Sequence, residues 1–210
     1  MARAFSKIAF TDTVRALQAK HGSAGAYAKF LAPEAPPNDS LGEAEAAFIR
    51  ARDGFYQATV SETGWPYVQF RGGPPGFMHV LDEKTLAYAD FRGNRQYLSV
   101  GNLLGNGRIA LFFMDYPNKR RLKLLGQASI VEMEDHADLV NSLHTPGYEA
   151  KPERAMIISV AGYDWNCPQH IPQRYTLEEM ASTLSPIREE LAALRRENAD
   201  LKEKLEAKGG

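Results

Sequence analysis

The sequence predicts a mainly β protein, a small antiparallel barrel with flanking helices, and three observations carry that reading. Between residues 54 and 165, short apolar runs follow one another, separated by compact turns such as "SETG", "GGPPG" and "PNK". Several runs alternate polar and apolar residues with a period of two, the signature of a half-buried strand. No repeat and no regular alternation of strands with helices interrupts them, which argues against a layered α/β fold.

Taken in order, residues 11–31 form a weak helical stretch. Thr11 or Asp12 can cap it, and Val14, Leu17 and Tyr27 make an apolar stripe broken by "HGSAG". "APEAPPND" (32–39) reads as a Pro-rich polar linker. "LGEAEAAFIRARD" (41–53) reads as a short helix, with Leu41, Ala44, Phe48 and Ile49 near helical spacing.

The strands follow. "GFYQATV" leads to "WPYVQFR", where Trp65, Tyr67, Gln69 and Arg71 share one face and Val68 and Phe70 the other. "FMHVL" and "TLAYADF", joined by "DEK", make a hairpin. "RIALFFMDY" is a nearly continuous apolar run of the buried-strand type. "RRLKLLGQASIVEM" sets Leu122 and Leu124 opposite Arg121 and Lys123, "DHADLVNSL" is a short helix, and "AMIISVAGYDW" is the last strand. Six or seven antiparallel strands in so short a span argue a small closed barrel. The chain divides into an N-terminal helical extension with its linker (1–44), the barrel (45–175) and a C-terminal helix (176–210).

That helix carries its own pattern. From Leu184, seam positions recur at Ile187, Leu191, Leu194, Asn198, Leu201 and Leu205, spaced 4-3-4-3-4. With Leu194 and Leu201 at d, Leu191, Asn198 and Leu205 fall at a. One Asn at a among Leu at d favours a parallel two-stranded coil in a single register. The other reading is an amphipathic helix folded back on its own barrel, since three heptads are short for a free-standing coil.

Composition excludes several functions. The 210 residues carry 25 basic and 26 acidic side chains, a net charge of −1. That balance leaves no global attraction for nucleic acid or an anionic membrane. The one cysteine, Cys167, excludes an intrachain disulfide and fits a reducing compartment. No signal-type apolar core opens the chain, and no run approaches the roughly 18 apolar residues of a membrane span, so a cytoplasmic protein is expected. Five histidines (21, 79, 136, 144, 170) never fall at metal-ligand spacing, so no metal site is expected.

One segment stands out, "ADFRGNRQYLSVGNLLGNGR" (89–108). From Phe91 to Ala128 there are Arg92, Arg95, Arg108, Lys119, Arg120, Arg121 and Lys123 against one acid, Asp115. Arg95 stands with Asn94 and Gln96 at the expected start of a short helix, and Gly93 lets the backbone approach a ligand closely. A phosphate suits such a place, because arginine gives charge-assisted bidentate bonds and a helix start adds donors. Arg95, Arg121 and Lys123 are the candidate cations. Arg92, Lys119 and Arg120 read as surface pairs, and Gly105 to Gly107 as a turn. No dinucleotide or phosphate-loop glycine motif and no G-x-S-x-G elbow occurs. In "DWNCPQHI" (164–171), Cys167 near His170 reads as structural rather than as a nucleophile–base pair. Trp165, Asn166, Gln169 and His170 together read as a ligand wall, an aromatic plane with amides beside it.

These same stretches, "WPYVQFRGGPPGF", "TLAYADFRGNRQYLSVGNL", "RIALFFMDYP" and "RRLKLLGQASIVE", resemble the pyridoxamine 5′-phosphate oxidase-related FMN-binding family over about residues 45 to 175. The resemblance implies a six-stranded antiparallel split β-barrel that dimerises and binds FMN between its subunits. It implies that Asn94 and Arg95 grip the FMN phosphate, with Gln96 where the family commonly has lysine. Arg121 and Lys123 would face the cofactor from their strand, and Gln69 and Arg71 would face the flavin. Trp165 and Arg174 fall loosely against a tryptophan–arginine pair that serves substrate in the true oxidases. "WNCPQHIPQR" does not match that ending, so the resemblance is to a related flavoprotein rather than to a true pyridoxamine phosphate oxidase. An FMN-dependent oxidoreductase is the expected activity, with His170 the one candidate acid or base. The alternative is a non-catalytic flavin- or haem-binding module with a dimerising tail, in which His79 or His170 would serve haem as axial ligand.

Overall fold

A computed structural model describes residues 3–165 and 168–208, apart from the side chain of Lys208. The chain separates into two compact units. The first, through His170 but without Tyr116–Asn118, holds all seven strands, numbered β1 Gly54–Val60, β2 Pro66–Gly72, β3 His79–Asp82, β4 Thr85–Phe91, β5 Arg108–Asp115, β6 Arg120–Glu132 and β7 Pro152–Trp165. They form one antiparallel sheet in the order β2-β1-β5-β6-β7-β4-β3.

The sheet has seven strands rather than six, and its hydrogen bonding does not close. The extra member is β3, four residues long and paired only with β4, so it lies at an edge opposite β2. The sheet nevertheless curls until its inner face meets itself. Phe55 on β1 stands 5.3 Å from the ring of Tyr88 on β4, and the Tyr88 hydroxyl donates to Gln57 Oε1 at 2.6 Å. Three strands, β5, β6 and β7, lie between β1 and β4 in the sheet order, so this is contact across a barrel with a split side. Burial pushes the Tyr88 phenol well above its ordinary pKa, which keeps its proton available for that bond.

Alternation fixes which residues enter the core. On β5, Ile109, Leu111 and Phe113 are buried while Ala110, Phe112 and Met114 are half-covered on the outer side. The run looked continuous because both faces are apolar. On β6, Leu122 and Leu124 point in and Arg121 and Lys123 out, as the period of two requires. β4 is covered on both faces: Leu86 and Tyr88 join the main core, while Ala87 and Ala89 pack with Val140 and Leu143 in a second cluster.

Helices flank this sheet. α1 (Ala4–Ala9) has no forecast in the sequence pattern, and residues 11–31 resolve into α2 (Asp12–Lys20) and α3 (Ala24–Leu31), broken at His21–Ser23. Residues 32–39 do form an irregular linker, but it is tied down: Asn38 carbonyl accepts from Tyr163 N–H on β7 at 2.8 Å. α4 (Glu43–Arg50) starts where Glu45 accepts from Gly42 N–H, and it buries Ala46, Phe48 and Ile49; Ala44 faces solvent. α5 (Leu98–Gly105) and α6 (Ala137–Ser142) complete the unit.

The second unit joins Tyr116–Asn118 to Ile171–Gly210. Gln173 Nε2 donates to Pro117 carbonyl at 2.9 Å, and the Arg174 guanidinium lies 5.0 Å from the Tyr116 ring centroid. Its helix α7 runs from Leu177 to Lys208, opened by a capping box in which Thr176 and Glu179 bond each other's backbone N–H.

Gly162 on β7 is where α1 docks. A Cβ added there would lie 2.5 Å from Phe5 N, a backbone atom that cannot swing aside. Gly162→Ala should therefore lower stability by about 1–3 kcal/mol, read as a reduced thermal midpoint. An unchanged midpoint would mean that α1 does not pack there.

Candidate functional site

β2 is an edge strand, so its inward-facing residues look onto the split rather than into a neighbour. Alternation puts Tyr67, Gln69 and Arg71 on that side, and all three line a cavity of about 220 Å³. The opposite wall comes from Asp90 and Phe91 at the end of β4 and from Glu153 and Arg154 on β7. The roof is the loop from Gly93 to Tyr97 with the first turn of α5.

Asp90 ties these pieces together. It is 3% exposed, and register sets it directly opposite Arg154. Arg154 Nη1 reaches Asp90 Oδ2 at 3.0 Å, while Arg71 Nη1 lies 2.8 Å from Asp90 Oδ1. The second pair bridges β2 to β4 across the split. Arg154 also donates through Nε to the Glu132 carboxylate at 3.2 Å and sits 5.2 Å from the Tyr97 ring centroid. Burial works against the Arg154 charge, but the bonds to Asp90 and Glu132 outweigh it and raise its pKa.

The loop is held by local bonds and by unusual backbone. Asn94 Oδ1 accepts from Gln96 N–H at 3.2 Å, forming an Asx turn. Arg95 and Tyr97 both adopt left-handed φ, +62° and +54°. Non-glycine residues seldom do so, and two within three positions are characteristic of a segment held for a purpose. Arg95 Nε donates to the Tyr97 hydroxyl at 3.4 Å, which raises its pKa further. Ser99 Oγ donates to Gln69 Oε1 at 2.9 Å and so fastens α5 to β2. The helix begins at Leu98, three residues later than the sequence pattern suggested, because the two left-handed residues prevent an earlier turn.

Arg92, Arg71 and Arg154 are paired with carboxylates. Arg95 makes no ion pair among the described residues, and Arg71 Nε is buried with no hydrogen-bond partner. The cavity thus gathers the Arg95 guanidinium and the Arg71 side chain, with amides of Gln69, Asn94 and Gln96 beside them. Those are the needs of an anion with several acceptor oxygens.

Of the residues singled out in the sequence, Gln69, Arg71, Asn94, Arg95 and Gln96 come together here. Arg121 and Lys123 do not. Arg121 lies on the outer face of β6 with its guanidinium 5.1 Å from the Phe112 ring centroid, and Lys123 pairs with Asp164 at 2.7 Å. Trp165 donates to Glu45 Oε1 at 2.8 Å and packs on Phe48. Gln169 and His170 sit in an exposed turn, His170 at φ +61°, and Asn166 and Cys167 lie outside the described residues. His79 bonds the Leu143 carbonyl at 3.2 Å. Sequence reasoning missed Asp90, Glu153 and Arg154. The charge window opened at Phe91, one residue past Asp90, although an acid inside the apolar run "TLAYADF" was a visible signal.

The family model described as pyridoxamine 5′-phosphate oxidase matches residues 41–159, more than half the chain and all of the cavity. The chain belongs to this family. No curated relative matches it. Among solved structures, it is similar to a HupZ variant from Group A Streptococcus at 19% identity, covering 60% of this chain and 99% of that one with a TM-score of 0.50. A Lactobacillus delbrueckii protein named for pyridoxamine 5′-phosphate oxidase gives 22%, 60%, 94% and 0.47 in the same order, and an FMN-binding protein from Syntrophomonas wolfei gives 10%, 58%, 86% and 0.45. The first of these likenesses shows the shared split-barrel fold and nothing finer.

Removing the bridging carboxylate tests the node. Asp90→Ala takes from Arg71 its carboxylate partner and leaves Arg154 only Glu132 and Glu153, and should cost about 3–5 kcal/mol in denaturant unfolding. A loss below about 1 kcal/mol would show that Asp90 is not the tie between β2, β4 and β7.

Proposed function

We propose that this member of the pyridoxamine 5′-phosphate oxidase family binds FMN in the cavity at the split and acts as an FMN-dependent oxidoreductase on a small substrate. The observation that carries the reading is that Arg95, which makes no ion pair among the described residues, and Arg71 line one cavity of a chain that belongs to this family. A phosphate monoester is an anion that such guanidinium groups bind with charge-assisted hydrogen bonds. Arg95, Asn94 and Gln96 would hold that phosphate, the left-handed backbone at Arg95 and Tyr97 fixing the loop before the ligand arrives.

Bound flavin supplies hydride or electron transfer, chemistry that no side chain here offers. The chain's part is to bind and orient. Gln69, fixed by Ser99, presents an amide, and Arg71, fixed by Asp90, presents a cation that cannot swing away. No histidine lines the cavity among the described residues, and the reading assigns none of them a role there.

A homodimer completes the reading. The outer face carries the cross-strand row Phe70–Tyr56–Phe112–Lys123, with Val68 beside it, and Phe70 and Val68 are more than half exposed. An apolar sheet face of this kind fits association with a second copy.

The purified protein should be yellow or should take up FMN in an absorbance titration. Arg95→Ala should weaken FMN binding about 10- to 100-fold while leaving the fold intact, since a hydrogen bond to a charged group contributes about 1.5–3 kcal/mol. Colourless protein that ignores FMN would refute the cofactor. Bound FMN that neither nicotinamide dinucleotides nor reduced deazaflavin can reduce would favour a binding module over an oxidoreductase.

A further inference from the structure

We infer that α7 is a parallel, homotypic coiled coil whose partner is a second copy of this chain. The seam is longer than the zipper pattern first read. With Leu191, Asn198 and Leu205 at a, Leu177 and Leu184 fall at a as well. Met180, Ile187, Leu194 and Leu201 fall at d, so the a/d alternation runs unbroken for 29 residues of a 32-residue helix. Leu177, Met180, Ile187, Leu191, Leu194, Leu201 and Leu205 are each at least 45% exposed within the chain. Pro186 takes a c position, so its ring stays off the seam.

Flanking charge identifies the occupant. The g positions preceding Leu191 and Asn198 are Glu190 and Glu197. The e positions following Ile187, Leu194 and Leu201 are Arg188, Arg195 and Lys202. In a parallel pair, each g residue faces the e residue five positions on in the other strand. Glu190 then meets Arg195 of the second copy, and Glu197 meets Lys202, twice over by symmetry. In an antiparallel pair, e faces e and the three cations would oppose one another. Asn198 adds a second constraint, because only a parallel, in-register pair places it opposite itself. A code that is complementary to itself needs no other protein, and a two-fold parallel pair closes at two chains.

The full-length chain tests this by cross-linking. In a Cys167→Ser background, Asn198→Cys should form disulfide-linked dimer under mild oxidation. Glu203→Cys, at the outward f position, should form about tenfold less, because its Cα atoms stand too far apart in a parallel coil. Adding Glu190→Lys and Glu197→Lys to the Asn198→Cys chain should cut cross-linking severalfold. Co-expression with an Asn198→Cys chain carrying Arg195→Glu and Lys202→Glu should restore it. Equal cross-linking at 198 and 203, or none at 198, would overturn the proposal. So would indifference to the charge reversals.

Discussion

A single buried carboxylate organises the unit that holds the cavity. Hydrogen bonding leaves the sheet open between β2 and β3, and an open barrel has no intrinsic reason to keep its split at one width. Asp90 supplies that reason by taking Arg71 from β2 on one oxygen and Arg154 from β7 on the other. Placing an acid at 3% exposure is costly unless it is paired, so the two arginines must stay where they are. Their positions then decide what the cavity offers: cation, amide and N–H groups rather than an apolar slot.

From that constraint the loop above follows. Arg154 lies under the Tyr97 ring, Tyr97 receives the Arg95 Nε–H, and Ser99 clasps Gln69. Each bond is modest, about 1 kcal/mol net. Together they hold two left-handed residues in place without a ligand, so a phosphate would meet donors already oriented. Pre-organisation of this sort spares the ordering cost of binding.

Much of the barrel was legible because its strands obey a period of two. Tyr67, Gln69 and Arg71 were set on one face from "WPYVQFR" alone, and all three line the cavity. The continuous run "RIALFFMDY" marked a strand with apolar residues on both faces, its inner one buried and its outer one half-covered. What the pattern could not show was pairing between distant strands. Asp90 and Arg154 are 64 residues apart, and nothing local links them. Likewise Arg121 and Lys123 shared a positive segment with Arg95, yet the pleat turns them to the outer face, where they meet Phe112 and Asp164. α1 was hidden because "AFSKIA" is too short for a helical stripe and depends on its contact with Gly162.

The central claim is that this cavity recognises a phosphate-bearing flavin through its guanidinium groups. Calorimetric titration of the wild-type protein with FMN and with riboflavin tests it most directly, because the two ligands differ only in the phosphate. The account predicts that FMN binds at least about 100-fold more tightly, the equivalent of roughly 2.7 kcal/mol. Equal affinity for the two, or preference for riboflavin, would contradict it.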